Sequence, residues 1–338
     1  MNPAPADTAP RPRISVAMAT YNGARHLREQ LESLARQQRL PDELVVCDDG
    51  SSDGTVELLE QFAGTAPFRV RIRRNERNLG VLRNFEKALS LCEGDIVFMS
   101  DQDDVWLPEK IGDVVGVFDK IPDALAVIND KLIADENLVP TGATMLGNVR
   151  GFGSPDGNFV AGCCSAFRRE WLQIALPIPE GAIAHDTWLV GLAHRLQVAS
   201  IREKPLQYYR RHESNVSQNA YSEQRPVGPV RRLATEIGGI LNRSPDGDDA
   251  DWQSFVDSNE AEARRIGERR EVLDRLGLGA RADSALKLLR RQGETLTARR
   301  GFAAAAFPRR AAGVWKLWRS GGYAPFSGWK SALKDLLR

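Results

Sequence analysis

"DIVFMSDQDDVW", residues 95–106, places an apolar run directly before four polar side chains. The run at 96–99 is short and continuous, which predicts a buried β-strand. Positions 101–104 then supply three aspartates and one glutamine. Carboxylates this close repel one another, so we expect positive charge near the tip of this strand. The segment therefore predicts a strand that ends in a charged site.

The same pattern repeats on both sides of this strand. Strands are predicted for "ISVAMA" (14–19), "ELVVCD" (43–48), "FRVRIRR" (68–74) and "ALAVIND" (124–130). Counting the run at 96–99 as the fourth strand along the chain, apolar residues spaced by three and four follow each of the first four strands and predict helices. Successive strand–helix units put helices on both faces of a mainly parallel sheet. The predicted fold class is α/β, with a doubly wound sheet.

Polar residues follow several of these strands at the point where each strand ends. Ligands of such sheets bind beyond the carboxyl ends of the strands. The polar residues at those ends are Thr20, Tyr21, Asn22, Asp48, Asp49, Asp101 and Asp103. We therefore expect them to line one crevice, whereas Asp53 and Thr55 are predicted to cap the next helix.

Beyond residue 140 the pattern is less regular. Residues 140–158 are rich in Gly and Pro without periodicity, which predicts a mobile loop. "HDTWLVGLAHRL" (185–196) predicts a helix, and "LQYYRRH" (206–212) predicts a strand with a polar end. "NRSPDGDDAD" (242–251) predicts a linker, and the chain after it has a helical composition.

The composition is that of a globular protein, with 42% hydrophobic residues, 27% charged residues and a net charge of +1. This balance provides no argument for a nucleic-acid partner. The four cysteines form no CxxC pair, which favours buried thiols in a reducing cytosol. No apolar run reaches the roughly 18 residues of a spanning helix, so we expect a soluble or surface-attached protein.

The spacing of Asp101 and Asp103 suits a hard divalent cation, because such ions take oxygen ligands. Mg²⁺ or Mn²⁺ held in this way would bridge phosphate oxygens and neutralise a leaving diphosphate. A second acidic tip at Asp48 and Asp49 could bind a base or a ribose through its carboxylates. The alternative for the first tip is a solvated turn whose aspartates cap a helix.

Four segments together resemble a known family. "ISVAMATYNG", "VVCDDGSSDGT", "NLGVLRNFEKAL" and "GDIVFMSDQDDVW" are similar to consecutive motifs of the inverting family-two nucleotide-sugar glycosyltransferases, which have the GT-A fold. Within that family the chain most resembles bacterial rhamnosyltransferases of O-antigen and other surface polysaccharides. The resemblance runs from about Ile14 to Asn215.

The resemblance implies a role for each motif residue. The nucleotide-sugar would be bound by Thr20, Tyr21, Asn22, Asp48, Asp49, Asn78 and Asp101. The metal, Mg²⁺ or Mn²⁺, would be bound by Asp103, Asp101 and His212, although Arg211 stands where the family usually has Gln. The acceptor would contact Gly162, Cys163 and Trp188. Asp186 in "HDTWL" would be the catalytic base; a helix N-cap is the alternative for this residue, and a surface or packed histidine is the alternative for His212.

The implied reaction is transfer of rhamnose from a nucleoside-diphosphate donor to a glycan or lipid-linked glycan in cell-surface polysaccharide synthesis. The implied place is the cytoplasm, at the cytoplasmic face of the inner membrane. The implied domains are a disordered leader (1–13), a catalytic domain (14–225) and a helical basic region (226–338). Within the catalytic domain, residues 14–130 would bind the nucleotide and residues 158–215 the acceptor.

Two other functions remain open at this level. "DQDDV" also fits the Asp-x-Asp motif of haloacid dehalogenase-type phosphatases, although that motif normally follows the first strand and here follows the fourth. A catalytically inactive docking module is the other alternative, and it would bind nucleotide without transferring sugar.

The C-terminal residues 299–338 carry nine Lys and Arg against one acid, Asp335. In "RRAAGVWKLWRS" (309–320), helical spacing puts the apolar residues and both tryptophans on one arc, with most of the basic residues opposite. The arc consists of Ala311, Val314, Trp315, Leu317 and Trp318, and the basic side of Arg309, Lys316 and Arg319. Such a helix could lie on an anionic membrane or pack on the protein or a second subunit.

Overall fold

A computed structural model of the chain describes residues 11–212, 220–228, 248–303, 305–324, 326 and 328–337. Within these residues, one mixed sheet has the strand order β3-β2-β1-β4-β8-β6-β9-β5, and β7 pairs with β6 outside this row. The strands are β1 Ile14–Thr20, β2 Glu43–Asp48, β3 Arg69–Arg74, β4 Ile96–Ser100, β5 Val105–Trp106, β6 Ala126–Ala134, β7 Pro140–Thr144, β8 Ser165–Arg168 and β9 Ala199–Arg210.

The strand directions explain how one edge of the sheet collects the polar tips. β3, β2, β1 and β4 are parallel neighbours, so their carboxyl ends share one edge. β8 runs antiparallel between β4 and β6, and β9 runs parallel to β6. The helices are α1 Ala24–Ala35, α2 Thr55–Ala63, α3 Val81–Leu91, α4 Lys110–Lys120, α5 Met145–Gly151, α6 Arg169–Ala175, α7 His185–Arg195, α8 Asp248–Glu268, α9 Arg270–Arg275, α10 Gly279–Ala303, α11 Phe307–Arg319 and α12 Trp329–Leu337.

Two hydrophobic cores lie on opposite faces of the sheet. On β1, Val16 and Met18 face a core formed with α1 and α4, whereas Ala17 faces the core of α3, α6 and α7. Alternate side chains of a strand point to opposite faces, so a strand that is apolar throughout must be covered on both sides. The predicted doubly wound α/β fold is confirmed.

The mobile loop predicted for 140–158 is wrong. The segment forms the edge strand β7, the helix α5 and a 3-10 turn at Asp156–Asn158. Pro140 is compatible with an edge strand, because an edge position does not need every N–H. Thr144 caps α5 by accepting a hydrogen bond of 3.0 Å from the Gly147 N–H. The Pro and Gly residues of this segment therefore belong to an ordered edge strand and its turns, and they do not indicate a mobile loop.

The predicted linker at 242–251 is helical where the structure describes it, since α8 begins at Asp248. Residues 242–247 of that prediction, like residues 1–10 of the predicted leader, lie outside the described residues. The helices that follow share a hydrophobic core with the α/β sheet, because Ile266, Leu273 and Ala282 are buried in the same cluster as residues of α3 and α7. The segment 248–303 thus packs as part of the α/β unit.

Arg265 of α8 is the clearest attachment point between these two parts. Its guanidinium donates to the carbonyl oxygens of Ala175 and Pro177, both at 2.7 Å. These carbonyls follow the end of α6, where a cation also interacts favourably with the helix dipole. Trp188 of α7 donates its indole N–H to the same Ala175 oxygen at 2.8 Å. Arg265 therefore joins α8 to α6 and, through Trp188, to α7.

The last helices pack around a buried ion pair. Arg299 of α10 donates to both carboxylate oxygens of Asp335 in α12, at 2.6 and 3.0 Å. The Tyr323 hydroxyl donates to Asp335 at 2.9 Å. Since all three side chains are buried, α10 and α12 are locked in one relative orientation. No helix among the described residues is long and apolar enough to cross a bilayer.

Candidate active site

Gln102, between the first two aspartates, joins the tips of β1 and β4. Its Nε2 donates to the Tyr21 carbonyl oxygen at 3.1 Å, and its Oε1 accepts from the Tyr21 N–H at 3.0 Å. A Cβ at position 23 would collide with this amide, so Gly23 is required by the close approach. The pairing orders the backbone from which Asp101 and Asp103 project.

Asp103 and His212 meet close to the ends of β4 and β9. Nε2 of His212 pairs with Oδ2 of Asp103 at 2.9 Å. His212 is delivered by β9, whose last residue, Arg210, also donates its Nε to the Asp103 carbonyl oxygen at 3.1 Å. Arg210 is itself paired with Glu29 of α1. The structure thus brings together two of the three predicted metal ligands, and it adds Arg210, which sequence reasoning missed.

Asp101 and Asp104 lie deeper. Asp104 is fully buried, its Oδ2 accepts from Nε2 of Gln207 at 2.5 Å, and its Oδ1 has no hydrogen-bond partner. Burial raises the pKa of Asp104 well above its usual value. Burial and the charge of Asp103 raise the pKa of Asp101 to about 6, and Asp186 adds to the shift. The neighbouring carboxylates therefore repel one another, as expected from their spacing, and this repulsion adds to the effect of burial on the pKa values of Asp101 and Asp104.

Two buried lysines supply the positive charge expected near the tip. Lys110 donates to the Cys163 carbonyl oxygen at 2.9 Å and to Oε1 of Gln207, the residue that binds Asp104. Burial lowers the pKa of Lys110 to about 8. Lys131 places its Nζ 3.6 Å from the Cys163 sulfur and 3.4 Å from the centroid of the Tyr209 ring. Sequence reasoning missed both lysines, because a lysine is almost never fully buried unless it is paired.

One group of possible metal ligands lies at the acidic tip. In the described part of the chain, Asp101, Asp104 and Cys163 have ligand atoms within 4.8 Å of one another. That set is a poor magnesium or manganese site, because a hydrogen bond with Cys164 and burial raise the pKa of the Cys163 thiol and keep it protonated. The three predicted ligands Asp101, Asp103 and His212 do not form such a group among the described residues, although Asp103 and His212 contact each other.

The second acidic tip differs from expectation. Asp48 is fully buried; its Oδ1 accepts from the Ser51 N–H at 2.9 Å and its Oδ2 from the Thr20 hydroxyl at 2.9 Å. Asp49 is buried as well and accepts from the N–H groups of Leu79 and Gly80 at 2.7 and 2.8 Å. These carboxylates are engaged within the protein, so they shape the loops around the crevice instead of projecting into it.

The other predicted nucleotide-binding residues divide into supports and one exposed ring. Thr20 is buried beneath Asp48, and Asn22, in the left-handed region with φ of 47°, accepts from the Ser52 N–H at 2.9 Å. Asn78 donates its Nδ2 to the Asp49 carbonyl oxygen at 3.1 Å. Tyr21, 51% exposed, presents its ring to solvent at this edge.

The predicted capping of α2 is borne out for Asp53 only in part. Gly54 holds the N-cap position, but Oδ1 of Asp53 accepts from the N–H of Thr55, the first residue of α2, at 3.2 Å. Asp53 also accepts from the Ala24 N–H at 3.1 Å, and the Thr55 hydroxyl accepts from the Gly23 N–H at 2.9 Å. Both side chains satisfy the free N–H groups at the start of α1, the neighbouring helix.

Asp186 lies in the first turn of α7, close to the acidic cluster. Its Oδ2 accepts one long hydrogen bond of 3.3 Å from the Gly162 N–H. The N-cap of α7 is Ala184, so the capping alternative for Asp186 is wrong. A Cβ at Gly162 would lie 2.8 Å from Nε2 of His185, whose ring stacks on Phe85 with centroids 4.3 Å apart. Gly162 therefore allows α7 to approach.

Two of the three predicted acceptor contacts are corrected. Trp188 is buried in the core, and its indole N–H is bound to Ala175, so it offers no surface to a sugar. Cys163 is buried beneath the acidic cluster, next to Lys131. Gly162 is buried as well, and of the three it is the one whose backbone N–H donates to Asp186. Trp188 follows Asp186 by two residues on a helix, so it points away from the side that Asp186 occupies.

Comparisons with known proteins agree with this geometry. Residues 15–174 match the model of Glycosyl transferase family 2. The chain is 33% identical to the EpsE protein of Bacillus subtilis over 125 residues, which cover 37% of this chain and 45% of EpsE. It is 28% identical to dTDP-rhamnosyl transferase RfbG of Shigella flexneri over 217 residues, which cover 59% of this chain and 72% of RfbG.

The fold has a close structural counterpart. The structure of S. aureus TarS 1–349 in complex with UDP-GlcNAc superposes with a TM-score of 0.52 at 17% identity, over 82% of this chain and 90% of that one. The family match argues against the phosphatase alternative, since the Asp-x-Asp motif falls within the matched residues. Residues 15–174 therefore match a Glycosyl transferase family 2 domain, and the chain has the fold of the GT-A glycosyltransferases.

Proposed function

We propose that the protein is an inverting, metal-dependent glycosyltransferase that moves a sugar from a nucleoside diphosphate to an acceptor hydroxyl. One arrangement carries the proposal: Asp186 accepts from the Gly162 N–H at 3.3 Å, and the sulfur of the next residue, Cys163, lies within 4.8 Å of a carboxylate oxygen of Asp101, so the candidate base is close to the acidic tip. Asp186 and Asp101 come from α7 and from the end of β4. A transferase of this kind needs a base on the acceptor side and countercharge on the leaving-group side.

The donor would lie along the carboxyl edge of β1, β2 and β4. The exposed ring of Tyr21 is placed to contact the nucleoside, and the loops held by Asp48 and Asp49 border it. Asp101, Asp103 and His212 would hold Mg²⁺ or Mn²⁺, which would neutralise the departing diphosphate when bound. Oxygen ligands with one imidazole suit either ion.

Asp186 has the freedom that a general base needs. Its Oδ2 accepts only the 3.3 Å bond from Gly162 among the described residues, and Oδ1 accepts from the Thr187 N–H at 2.8 Å. In the proposed step, the acceptor hydroxyl gives its proton to Asp186 while its oxygen attacks the anomeric carbon. The bond to the diphosphate oxygen breaks on the opposite side of that carbon, so the configuration inverts.

The finer assignment is rhamnose as the sugar and a glycan or lipid-linked glycan as the acceptor. Similarity to RfbG supports this choice of sugar. We place the reaction in the cytoplasm, at the inner membrane face, because a lipid-linked acceptor would be presented there. Since the chain spans only 45% of EpsE, the activity is proposed for the domain described and for no larger assembly.

The test is a donor screen with matched variants. Purified protein would be incubated with UDP-, GDP- and dTDP-sugars with Mg²⁺, and release of nucleoside diphosphate would be measured. We expect one donor to be turned over, and Asp186→Asn to lower the rate by about a hundredfold or more while donor binding persists. The matched control is Asp119→Asn. Asp119 is exposed at the C-terminal end of α4, whereas Lys110 at the start of that helix lies next to the acidic tip. Wild-type turnover by Asp186→Asn, or nucleotide binding without turnover of any donor, would refute the proposal.

A further inference from the structure

The helix α11 has two faces with different surroundings. Its inner face packs on the neighbouring helices: Val314 is buried, Leu317 is half-buried, and a Cβ at Gly313 would collide with the ring of Phe302. The nearby ion pair of Arg299 with Asp335 keeps α10 and α12 together beneath it. The orientation of α11 is therefore set by packing, and its outer face is equally well defined.

The outer face combines aromatic and basic side chains. Trp315, Trp318 and Phe307 are 62%, 42% and 61% exposed. Arg319 lies one helical turn from both Trp315 and Lys316, so exposed basic side chains border the tryptophans. We call this surface the outer face of α11; it consists of Phe307, Arg309, Trp315, Lys316, Trp318 and Arg319. The arc predicted from spacing is therefore divided, with Val314 and Leu317 inside and both tryptophans outside.

The charged side chains of α11 itself are all basic. The sequence has no Asp or Glu between Glu294 and Asp335, and the Asp335 carboxylate is buried against Arg299. Arg309, Lys316 and Arg319 are all exposed on this helix. Two copies of such a surface would repel each other, so a second copy of the chain is a poor partner for it.

We propose that the outer face of α11 binds an anionic lipid surface. Tryptophan is favoured at the headgroup level of a bilayer, and Lys and Arg are attracted to its negative potential. An amphipathic helix of this kind lies in the plane of the interface with its rings inserted. The outer face of α11 supplies both the aromatic and the basic side chains, and the opposite face of the helix packs on the protein. The proposal concerns attachment alone and does not depend on sugar transfer.

The experiment is co-sedimentation of the full-length chain with vesicles. Wild-type protein is expected to sediment with phosphatidylglycerol–phosphatidylcholine vesicles and to stay in solution with phosphatidylcholine alone. Added salt should release it, because surface charges are screened. The triple variant Arg309→Ser, Lys316→Ser, Arg319→Ser should lower partitioning at least about tenfold. Trp315→Ser should weaken binding without changing its salt dependence.

The matched control replaces three exposed basic residues elsewhere with serine: Arg264, Lys287 and Arg290 of α8 and α10. This control has the same change in net charge and should bind like the wild type. Since the altered side chains point away from Val314 and Leu317, the melting temperatures should remain equal. Three results would overturn the proposal: equal partitioning of the two triple variants, equal binding to neutral vesicles, or a dimer in solution that Trp315→Ser dissociates.

Discussion

Nε2 of His212 lies 2.9 Å from Oδ2 of Asp103, although 109 positions separate the two residues in the chain. β9 makes this contact possible, because it runs beside both β6 and β5 and ends next to the acidic tip. The pair joins the Asp-x-Asp segment to the end of the catalytic domain. It also shows that two of the predicted metal ligands share one location.

Replacing either partner should weaken metal binding. Asp103→Ala is expected to remove most transfer activity, since a diphosphate would lose its countercharge. His212→Ala should raise the Mg²⁺ or Mn²⁺ concentration needed for half-maximal activity, by about tenfold. Titration of activity against metal, with Asp119→Asn as the control, measures both effects. Full activity of Asp103→Ala in the presence of a chelator would contradict the metal assignment.

Gly162→Ala should impair catalysis more than donor binding. The new Cβ would lie 2.8 Å from Nε2 of His185 and 3.2 Å from Cβ of Asp186, so α7 must move. We expect kcat to fall about tenfold or more, because the base is displaced, with little change in the KM for donor. Gly191→Ala is the control on the same helix, where the added Cβ meets open space. That variant should be as active as the wild type and up to about 1 kcal/mol more stable.

Arg265→Met should destabilise the whole catalytic unit. The change would remove the Arg265 donor from the Pro177 carbonyl and would leave the Ala175 carbonyl with the Trp188 indole N–H alone. We expect the free energy of unfolding to fall by about 2–4 kcal/mol. Arg264→Met, the exposed neighbour on α8, should change it by less than about 0.5 kcal/mol. Equal denaturation midpoints for the two variants would show that α8 is not required by the catalytic fold.

Acid should destabilise the protein through the histidines of α7. Burial lowers the pKa of both His185 and His194. At these two positions the unfolded chain, with histidine pKa values near 6.5, therefore binds more protons than the folded chain below about pH 7. The contribution of the two histidines to stability should be fully present above that pH and be lost as the pH falls towards 5, by no more than about 1.4 kcal/mol per pH unit for each histidine.

His194→Gln isolates one of these contributions, because the amide does not titrate. Guanidinium denaturation of the variant and the wild type at pH 7.5 and pH 5.5 gives the comparison. The variant should lose less stability between the two pH values than the wild type does. An identical loss in both proteins would mean that His194 is not held neutral in the fold.

The sequence by itself determined the α/β class, the succession of the first strands and helices along the chain, and the polar residues at the carboxyl ends of those strands. Those properties depend on local periodicity: Val16 and Ala17 belong to opposite cores because neighbouring strand residues point to opposite faces. The acidic tip at Asp101 and Asp103 follows from where β4 ends. The periodicity of neighbouring residues was thus sufficient to predict where these motifs lie relative to the strands.

Only the tertiary structure decided which of the polar residues face the crevice and which support it. Asp48 and Asp49 are buried because hydrogen bonds from Ser51, Leu79 and Gly80 satisfy them, and no sequence pattern reports those partners. Trp188 is turned into the core by the carbonyl of Ala175. The buried charges of the site depend in the same way on contacts between distant segments, such as the one between Lys110 and Gln207. Burying a polar group is unfavourable until its partner is present, and that partner is supplied by the assembled fold.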